Sequence, residues 1–370
     1  MQRETLTPRP DWQAKVEALG LDFHTADGRP YWWEAACYVF TAAEIDLIEE
    51  ATEALHRLCL EAVDRIVTAR DLGSLQIPEP YHKWVAESWR RRDPDLYGRF
   101  DLAYDGSSPP KLLEYNADTP TALLEAAVVQ WYWLEEVKPG RDQFNSIHEK
   151  LIAAWAELRR QHPATLCVHF AGVLEETEDL RTLEYMRDVC SQGGWPTEQL
   201  DIAQVGWNGE CFTDLSERRI EALFKLYPWE WMLRERFGEH LRSDCTAFVE
   251  PPWKMVLSNK AILPLLWKMF PDHPNLLPAA FTREEIAGMC VEKPVHGREG
   301  AGVQVLQAGE FGCGRGARIY QAACPLPVFD GMRAVIGSWV VAGQAAGIGV
   351  REDTTAVTTN LSRFVPHYFP

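Results

Sequence analysis

The stretch from residue 99 to residue 116 constrains the fold of this chain more than any other. Arg99–Tyr104 alternates polar and apolar side chains, Asp105-Gly106 is a hairpin-turn signal, and Lys111–Asn116 alternates again. The pattern predicts two antiparallel strands joined by a tight turn. A chain with such a hairpin needs at least one sheet whose strands run in opposite directions.

One face of this hairpin suits a metal ion and a phosphate group. Residues i and i+2 share a face of a strand, so Arg99 and Asp101 point the same way, as do Glu114 and Asn116. Two carboxylates and one amide oxygen match the ligand preference of Mg²⁺, and the guanidinium would face phosphate oxygens. The same residues would also fit a solvated hairpin face with one surface salt bridge.

Helical and strand patterns are mixed along the rest of the chain. A helix is predicted over residues 41–67, because Thr41 and Glu44 form a capping box before an apolar stripe. The stripe comprises Ile45, Ile48, Leu55, Cys59, Ala62 and Ile66, interrupted only by Thr52. Further helices are predicted from Thr119-Pro120 to about Val137, over 177–192, from Ser258, and from Thr282. Further strands are predicted at 164–170, 290–293, 303–306, 318–323, 332–342 and 347–351.

The composition narrows the function classes. The chain carries 54 acidic and 37 basic residues and a formal charge of −17, which disfavours nucleic acid and anionic membranes as partners. Its nine cysteines include no CxxC pair, so a zinc knuckle or redox dithiol is not expected. The N-terminus has no apolar run, and Ala334–Val350 fits two buried strands and a turn better than a membrane span. We therefore expect a cytoplasmic protein.

A second set of residues suits the phosphates of a nucleotide. Lys260 and Lys293 would supply positive charge, and Gly297, Gly300 and Gly302 would let backbone N–H groups approach phosphate oxygens. The loop lies between strands and lacks the pattern of a P-loop or a dinucleotide fingerprint. An ordinary glycine-rich hairpin remains the alternative.

Two further segments have a functional and a structural interpretation. Arg318–Cys324 could offer backbone groups and an apolar slot to an adenine ring, or could be a plain core strand. The acidic run Glu175–Asp179 could bind a substrate amine, or could complement a helix dipole. His169, His296 and His367 have no metal-ligand spacing, so each is assigned a structural or loop role.

These constellations occur in the order typical of one enzyme family. The chain resembles the synthetase domain of glutathionylspermidine synthetase and its stand-alone acid–amine ligase relatives, from Tyr31 onwards. The segments that carry the resemblance are Gly98–Asp101, Glu114–Asp118, Phe248–Trp253, Asn259–Pro264, Lys293-Pro294, Ile319–Gln321 and Val350-Arg351.

The resemblance implies a fold and a set of roles. The fold would be α+β and ATP-grasp-like, with two lobes sandwiching ATP and an additional region shaping the substrate site. Asp101, Glu114 and Asn116 would bind magnesium, and Arg99 would stabilise the transition state. The nucleotide would contact Lys260, Lys293, Gly297, Gly300, Gly302, Gln321, Ala322, Ala323, Cys324 and Arg351. The acid substrate would lie near Thr119 and Thr121, and a cationic amine would lie near Glu178 and Asp179.

The expected reaction is an ATP- and Mg²⁺-dependent joining of a small-molecule carboxylate, such as a peptide or glutathione-like acid, to an amine. Residues 1–370 are expected to form a single ligase unit without the amidase domain of bifunctional relatives. The phosphate loop departs from the family by an extra acidic residue, Glu299, and Leu226 replaces a polar position near the acid substrate. Two alternatives remain: a peptide or amino-acid ligase with the same nucleotide site, and a non-catalytic nucleotide-binding module.

Overall fold

The computed structural model describes residues 1–26, 28–298 and 300–370, and within them the chain forms a mixed α/β fold. The α-helices are α1 (Trp12–Ala18), α2 (Ala42–Ala69), α3 (His82–Arg91), α4 (Gln130–Val137), α5 (Ile147–Gln161), α6 (Thr177–Gln192), α7 (Trp229–Met232) and α8 (Ile262–Met269). A π-helix, Glu125–Val129, runs directly into α4.

The strands form six sheets within the described residues. They are β1 (Gln2–Thr5), β2 (Thr25–Ala26), β3 (Arg29–Pro30), β4 (Ala36–Val39), β5 (Tyr97–Ala103), β6 (Lys111–Asn116), β7 (Val168–Gly172), β8 (Thr197–Asp201), β9 (Gly206–Trp207), β10 (Phe212–Thr213), β11 (Ala222–Leu226), β12 (Ala247–Val249), β13 (Ala279–Ala280), β14 (Cys290–Pro294), β15 (Gln304–Leu306), β16 (Arg318–Ala322), β17 (Val328–Phe329), β18 (Met332–Val341), β19 (Gln344–Asp353), β20 (Arg363–Val365) and β21 (His367–Tyr368).

The predicted hairpin is the edge of the largest sheet, an antiparallel sheet in the order β20-β19-β18-β5-β6, with β17 paired to β18. The apolar stretch 334–350 forms most of β18 and β19, joined at Ala342-Gly343, as the sequence predicted. Both strands are buried along most of their length. Within the described residues, no helix is long and apolar enough to cross a membrane.

A second sheet is parallel and has the order β12-β11-β7-β8. The helix that links β7 to β8 is α6, with the bounds the sequence predicted. β7 itself begins four residues later than predicted. Because its strands are parallel, their carboxyl ends meet at one edge, where such sheets commonly bind ligands.

A smaller antiparallel sheet has the order β13-β16-β14-β15 and contains the predicted nucleotide strands. The remaining sheets are β1-β4-β21, β2-β3 and β9-β10. The cluster Ala280, Ile286, Cys290 and Leu306 packs on the smaller antiparallel sheet, and two larger apolar clusters fill the rest of the protein.

The first long helix, α2, was predicted correctly. Thr41 and Glu44 form both hydrogen bonds of the capping box, and every residue of the predicted apolar stripe is buried. Thr52, which interrupts that stripe, is buried because its hydroxyl donates to the Ile48 carbonyl at 2.7 Å and lies 2.7 Å from the Ser338 hydroxyl of β18. The polar residue therefore joins the helix to the main sheet.

Three predicted helix starts are wrong. No helix begins at Thr119-Pro120: the segment is irregular up to Ala122, which adopts a left-handed φ of 64°, and helical structure begins only at Leu123. At Ser258 the chain also remains irregular, and α8 starts only at Ile262 because the Lys260 N–H donates to the Val295 carbonyl at 3.0 Å.

The segment after Thr282 is a single 3₁₀ turn, Arg283–Glu285. The Thr282 hydroxyl contacts the Glu285 carboxylate at 2.6 Å, but no side chain caps a helix. The buried Arg283 guanidinium instead donates to four backbone carbonyls of the surrounding loops, among them Ile286 O and Gly288 O. The other two acceptors, Gln307 O and Glu310 O, belong to a loop more than 20 residues away, and these long-range bonds hold the chain in a turn.

Candidate active site

Most of the polar residues predicted to bind ATP, the metal ion and the acid substrate line one cleft. It contains about 970 Å³ of space, part of it open to solvent. Among its lining residues are the predicted site residues Arg99, Asp101, Glu114, Asn116, Thr119, Thr121, Lys260, Gly297, Gly300 and Arg351.

The hairpin places its four charged and polar residues as predicted. Asp101 on β5 is the cross-strand partner of Glu114 on β6, and Arg99 is the partner of Asn116. The Arg99 guanidinium binds both carboxylate oxygens of Asp101, at 2.7 and 3.1 Å. The Asn116 amide lies 3.3 Å from Asp101 Oδ2 and 3.5 Å from Glu114 Oε1.

Arg99 is held in a space that Gly337 leaves free. A Cβ at position 337 would lie 2.8 Å from Arg99 Cδ, so only glycine lets the side chain pass across β18 unhindered. Arg99 is buried, and its guanidinium also donates to the Thr121 carbonyl. Burial lowers the pKa of Arg99, but the neighbouring Asp101 carboxylate outweighs burial and raises it, so the side chain stays charged.

Lys260 connects the hairpin to the glycine-rich loop. Its ammonium lies 3.1 Å from Glu114 Oε2 and donates to the Gly297 carbonyl at 2.7 Å. Burial raises the pKa of Glu114, but Lys260 and Lys293 together lower it well below its usual value. The carboxylate is therefore ionised and paired with Lys260.

The glycine-rich loop lies over the cleft beside the loop that follows β19. A Cβ at Gly300, where φ is 72°, would come within 2.7 Å of Thr358 O. Arg298 donates to the Thr119 hydroxyl at 2.5 Å and lies 5.2 Å from the Trp231 ring centre. The predicted extra acidic residue, Glu299, lies outside the described residues.

Lys293 and Gln321 come together but do not line the cleft within the described chain. The Lys293 ammonium donates to Gln321 Oε1 at 2.7 Å and to the Leu113 carbonyl at 2.9 Å. Gln321 in turn donates to the Leu112 carbonyl at 2.9 Å. Both side chains thus tie the small sheet to β6, and burial lowers the pKa of Lys293 to about 8 although Glu114 raises it.

The rest of the predicted adenine strand is partly buried beside this contact. The Ala322 N–H donates to Pro278 O and the Ala323 N–H to Met289 O, so both donors are already used by the protein backbone. Cys324 is half-buried at the end of the strand. Gly302 lies beyond the cleft lining, and its carbonyl accepts from Arg318.

Arg351 lines the cleft and lies near Tyr31, which contacts a group of acidic residues that includes Glu178, predicted to bind the amine. It donates to the Thr359 and Ser362 carbonyls, and its guanidinium carbon lies 5.9 Å from the Tyr31 ring centre. The Tyr31 hydroxyl donates to Glu125 Oε1 at 2.6 Å. Glu178, in the first turn of α6, is close enough to raise the pKa of both Tyr31 and Glu125.

Glu125 is a residue that sequence reasoning missed. It is buried on the π-helix, a type of segment that occurs frequently at functional sites. Burial, and then Glu178, raise the pKa of Glu125 to about 7. The only signal for Glu125 in the sequence is that it is an acidic residue within an apolar helical pattern. Asp179 lies on the same turn as Glu178, near Tyr97.

A second missed group anchors the edge of the parallel sheet to the hairpin. Asp118, two residues after β6, accepts from the buried Lys225 ammonium and, at 3.0 Å, from the Trp229 N–H. Leu226, the predicted departure, is buried at the end of β11. Glu230 on α7 and His296 both line the cleft, so His296 lies at the site itself, whereas His169 and His367 are buried elsewhere.

The donor set of the hairpin fits Mg²⁺. Asp101 and Glu114 supply carboxylates on one sheet face, and Asn116 donates to both through Nδ2, so its amide oxygen would face a metal ion there after rotation of the amide group. Among the described residues, no group of three or more His, Cys, Asp or Glu side chains could hold a metal ion, and the hairpin contributes two carboxylates.

The sequence matches the glutathionylspermidine synthase pre-ATP-grasp family over residues 3–370. A putative acid–amine ligase from Haemophilus influenzae is 44% identical over the full length of both chains. The chain belongs to the glutathionylspermidine synthetase family. A trypanothione synthetase from Crithidia fasciculata is 30% identical over 82% of this chain.

Other members of the glutathionylspermidine synthetase family are longer. The chain spans 52% of the trypanothione synthetase and 58% of the bifunctional glutathionylspermidine synthetase/amidase from Escherichia coli, which is 29% identical over 88% of this chain. Among solved structures, a glutathione synthetase-like effector from Globodera pallida shares the fold with a TM-score of 0.61. It is 11% identical, and the match covers 97% of this chain and 96% of that one.

Proposed function

We propose that this family member is an ATP- and Mg²⁺-dependent ligase that joins a carboxylate to an amine through an acyl phosphate. The observation that carries the proposal is the pairing of Asp101 with Glu114 in one cleft with Arg99 and Lys260. A module that only binds nucleotide has no need for opposed carboxylates beside a buried arginine. The relatives named as acid–amine ligase and trypanothione synthetase support the same reaction class.

The nucleotide would lie between the small antiparallel sheet and the hairpin, as in a two-lobed ATP-grasp arrangement within a single unit of residues 1–370. Lys260 and Lys293 approach the hairpin from the side of that sheet. Gly297, Gly300 and Gly302 would cover the phosphates, and Gln321 to Cys324 would border the adenine. Arg351 would contribute a further positive charge at the opposite wall of the nucleotide.

The first half-reaction transfers the γ-phosphoryl group. A carboxylate oxygen of the acid attacks the γ-phosphorus, the bond to the β-phosphate oxygen breaks, and ADP leaves. Mg²⁺ held by Asp101, Glu114 and Asn116 would neutralise charge on the phosphate oxygens. Arg99, fixed by Asp101 and by the space at Gly337, would stabilise the charge that develops on the transferred group.

The second half-reaction forms the amide. The amine nitrogen attacks the acyl carbon, the carbon–oxygen bond to phosphate breaks, and the nitrogen loses a proton. Phosphate is a far better leaving group than hydroxide, which explains why the carboxylate is first phosphorylated by ATP. The loop around Arg298 would exclude water, which would otherwise hydrolyse the acyl phosphate.

The amine would bind beside Arg351, where carboxylates are concentrated. Glu125 and Glu178 lie near one another, Asp179 is on the same turn, and Tyr31 orients Glu125 through its 2.6 Å hydrogen bond. A buried ammonium requires a carboxylate partner to offset its lost hydration. Glutathione as the acid and spermidine as the amine are the first pair to test, because relatives carry both in their names.

The test is ADP release from acid–amine pairs, followed by mass spectrometry of the amide. An acid carrying isotopically labelled carboxylate oxygens should transfer one labelled oxygen to the released phosphate, because that oxygen bridges carbon and phosphorus in the acyl phosphate. Amide formation without label in phosphate would refute the intermediate. Amide formation only with amino acids as the amine would instead identify a peptide ligase, and ATP binding without turnover of any pair would leave a nucleotide-binding module.

A further inference from the structure

A second large cavity lies at the end of the parallel sheet that is farther from the cleft. It contains about 1080 Å³ of space, part of it open to solvent, and within the described chain it shares no lining residue with the cleft. Its lining includes the first residues of three neighbouring strands: Val168 of β7, Ala222 of β11 and Ala247 of β12. The hairpin contacts the same sheet near its carboxyl end, through the Lys225–Asp118 pair. The cavity is therefore remote from the proposed reaction.

The walls of this cavity are predominantly aromatic. They include Trp84 of α3, Trp155 of α5, Trp195 and Phe248 of β12, each at most 8% exposed. The Trp84 and Phe248 rings meet edge to face, with their centres 6.2 Å apart. Side chains of this kind offer apolar ring faces against which another ring packs favourably. Small-molecule sites occupy roughly 300–1000 Å³ and have mostly apolar and aromatic walls, so both the size and the lining of the cavity suit such a ligand.

One polar group of the lining lacks a partner. Trp155 is the most deeply buried of the four aromatic side chains, and its Nε1–H donates to no acceptor within the described chain. The Trp195 Nε1–H, by contrast, donates to the Trp155 carbonyl at 2.8 Å. Buried donors in proteins are nearly always paired, so an unpaired one calls for an acceptor from another molecule. A ligand with an acceptor atom would supply it.

The charged groups at the rim of the cavity are already paired with one another. The Arg91 guanidinium binds both oxygens of Asp93, at 2.8 and 3.1 Å, and lies 3.7 Å from Asp244 Oδ1. Arg159 lies 4.8 Å from the Trp195 ring centre, so a cation already occupies one face of that ring. Both carboxylates of the described lining thus have an arginine partner, which favours a neutral ligand over a charged one.

We propose that this cavity is a second ligand site, separate from the cleft, for a flat and neutral heteroaromatic molecule that carries a hydrogen-bond acceptor. The rings of Trp84, Trp195 and Phe248 would enclose its faces, and its acceptor would receive the Trp155 Nε1–H. The described lining contains neither lysine nor glycine, so it lacks the phosphate-binding groups of the cleft. The inference goes beyond the proposed function and does not depend on it.

Ligand-observed NMR titrations test the site with three probes of nearly the same shape. Quinoline carries a ring-nitrogen acceptor, naphthalene has none, and N-methylquinolinium has its nitrogen blocked and positively charged. A non-hydrolysable ATP analogue is present throughout, to keep the probes out of the proposed nucleotide site. Ala247→Phe fills the cavity from an exposed position, and Ala43→Phe, at an exposed position near the start of α2, is the matched control.

Quinoline should bind the wild type and Ala43→Phe at millimolar concentrations or below, and its binding should be lost in Ala247→Phe. The ratio of the naphthalene and quinoline dissociation constants then tests the acceptor, because differences in hydration between the probes cancel when variants are compared. Trp155→Phe should lower this ratio by roughly two- to tenfold, the scale of one hydrogen bond. Trp33→Phe removes another buried, unpaired indole N–H outside the described cavity lining and should leave the ratio unchanged.

N-methylquinolinium should bind the wild type more weakly than quinoline, and this comparison still tests the acceptor if Trp155→Phe does not fold. Four results would each overturn the proposal: no binding of quinoline to the wild type, binding that persists in Ala247→Phe, an unchanged ratio in Trp155→Phe, or binding of N-methylquinolinium as tight as that of quinoline. None of these measurements requires turnover, so their outcome is independent of the ligase reaction.

Discussion

Asp101 and Glu114 face each other across the hairpin, and the strand pairing shifts by one residue immediately beyond them. Leu102 pairs with Leu112, so Leu113 has no partner on β5 and forms a bulge. The Leu113 carbonyl accepts from the Lys293 ammonium at 2.9 Å. Bulges occur frequently next to active sites, where they redirect backbone groups. Here the bulge connects the carboxylate pair to a lysine predicted to bind ATP.

Loss of any one proposed metal ligand should abolish turnover. Asp101→Asn, Glu114→Gln and Asn116→Ala should each reduce kcat by at least about 10²-fold, because charge neutralisation at a transferred phosphoryl group contributes several kcal/mol. The measurement is ADP release with varied Mg²⁺. Melting temperatures should stay close to wild type for Glu114→Gln and Asn116→Ala, whose side chains are half-buried in the cleft lining, whereas Asp101→Asn also removes the charge partner of the buried Arg99 and should melt at a lower temperature. Glu53→Gln, on the exposed side of α2, is the control. If one of the three variants keeps a near wild-type kcat at limiting Mg²⁺, the residue changed in it is not a metal ligand.

Arg99 should matter for chemistry more than for ATP binding. Arg99→Ala should lower kcat by about 10²–10³-fold, the scale for one preorganised charge-stabilising donor. Gly337→Ala should lower kcat while retaining the arginine, because its Cβ would lie 2.8 Å from Arg99 Cδ. Gly73→Ala, where a Cβ meets nothing within 4 Å, is the matched control. A change confined to the KM for ATP would contradict the transition-state role.

The elements that local patterns determine were predicted correctly. The hairpin, α2 and α6 follow from alternation, a capping box and helical periodicity, which act over a few residues. The helix starts at Thr119, Ser258 and Thr282 were wrong, and at Ser258 and Thr282 hydrogen bonds to distant segments decide the conformation. The Lys260 N–H bond to Val295 is an example, since no short-range pattern encodes a partner 35 positions away.

The same distinction applies to the site. The metal trio shares one hairpin, so its geometry follows from strand periodicity. Glu125 and the Asp118–Lys225 pair depend on contacts between distant segments, and a lone acid or lysine in an apolar run gives only a weak signal. The resemblance implied roles that periodicity could not, and the roles of Glu178 and Asp179 at the amine stay predictions; Glu178 lies close enough to Tyr31 and Glu125 to add to the effect of burial in raising the pKa of both.

ATP binding should weaken at alkaline pH through Lys293. Burial lowers the pKa of this lysine to about 8, so it loses its proton, and its charge, as the pH rises through that value. The KM for ATP should therefore increase between about pH 7 and pH 9 in the wild type. Lys293→Met should have a high KM for ATP without this pH dependence. A wild-type KM that stays flat across the range would contradict the assignment.

Amine binding should respond to pH in the opposite direction. Burial and Glu178 raise the pKa of Glu125 to about 7, so the carboxylate gains its charge as the pH rises through neutrality. The KM for a cationic amine should fall between about pH 6 and pH 8. Glu125→Gln should raise this KM roughly tenfold or more and flatten its pH profile. The double variant Glu178→Gln/Asp179→Asn should also raise the KM for the amine. Glu175→Gln, at an exposed position, is the control. If the KM for the amine is the same in all variants, the acidic residues of α6 serve only as a helix cap.

Lys260 should control closure of the glycine-rich loop. Its ammonium bridges Glu114 on the hairpin and the Gly297 carbonyl on the loop, so it joins the two surfaces that would enclose the phosphates. Lys260→Met should raise the KM for ATP and leave the loop less firmly held, because both contacts depend on the same charged group. Trypsin reports on the loop, since Arg298 is a cleavage site inside it and is held by Thr119 and Trp231.

A non-hydrolysable ATP analogue should slow tryptic cleavage after Arg298 in the wild type, and this protection should be lost in Lys260→Met. Lys268→Met removes an exposed lysine from α8 and should retain full protection. Mass spectrometry of the released peptides distinguishes this cut from cleavage elsewhere. If the analogue protects Lys260→Met as well as it protects the wild type, Lys260 is only a partner of Glu114, and closure of the loop depends on other groups.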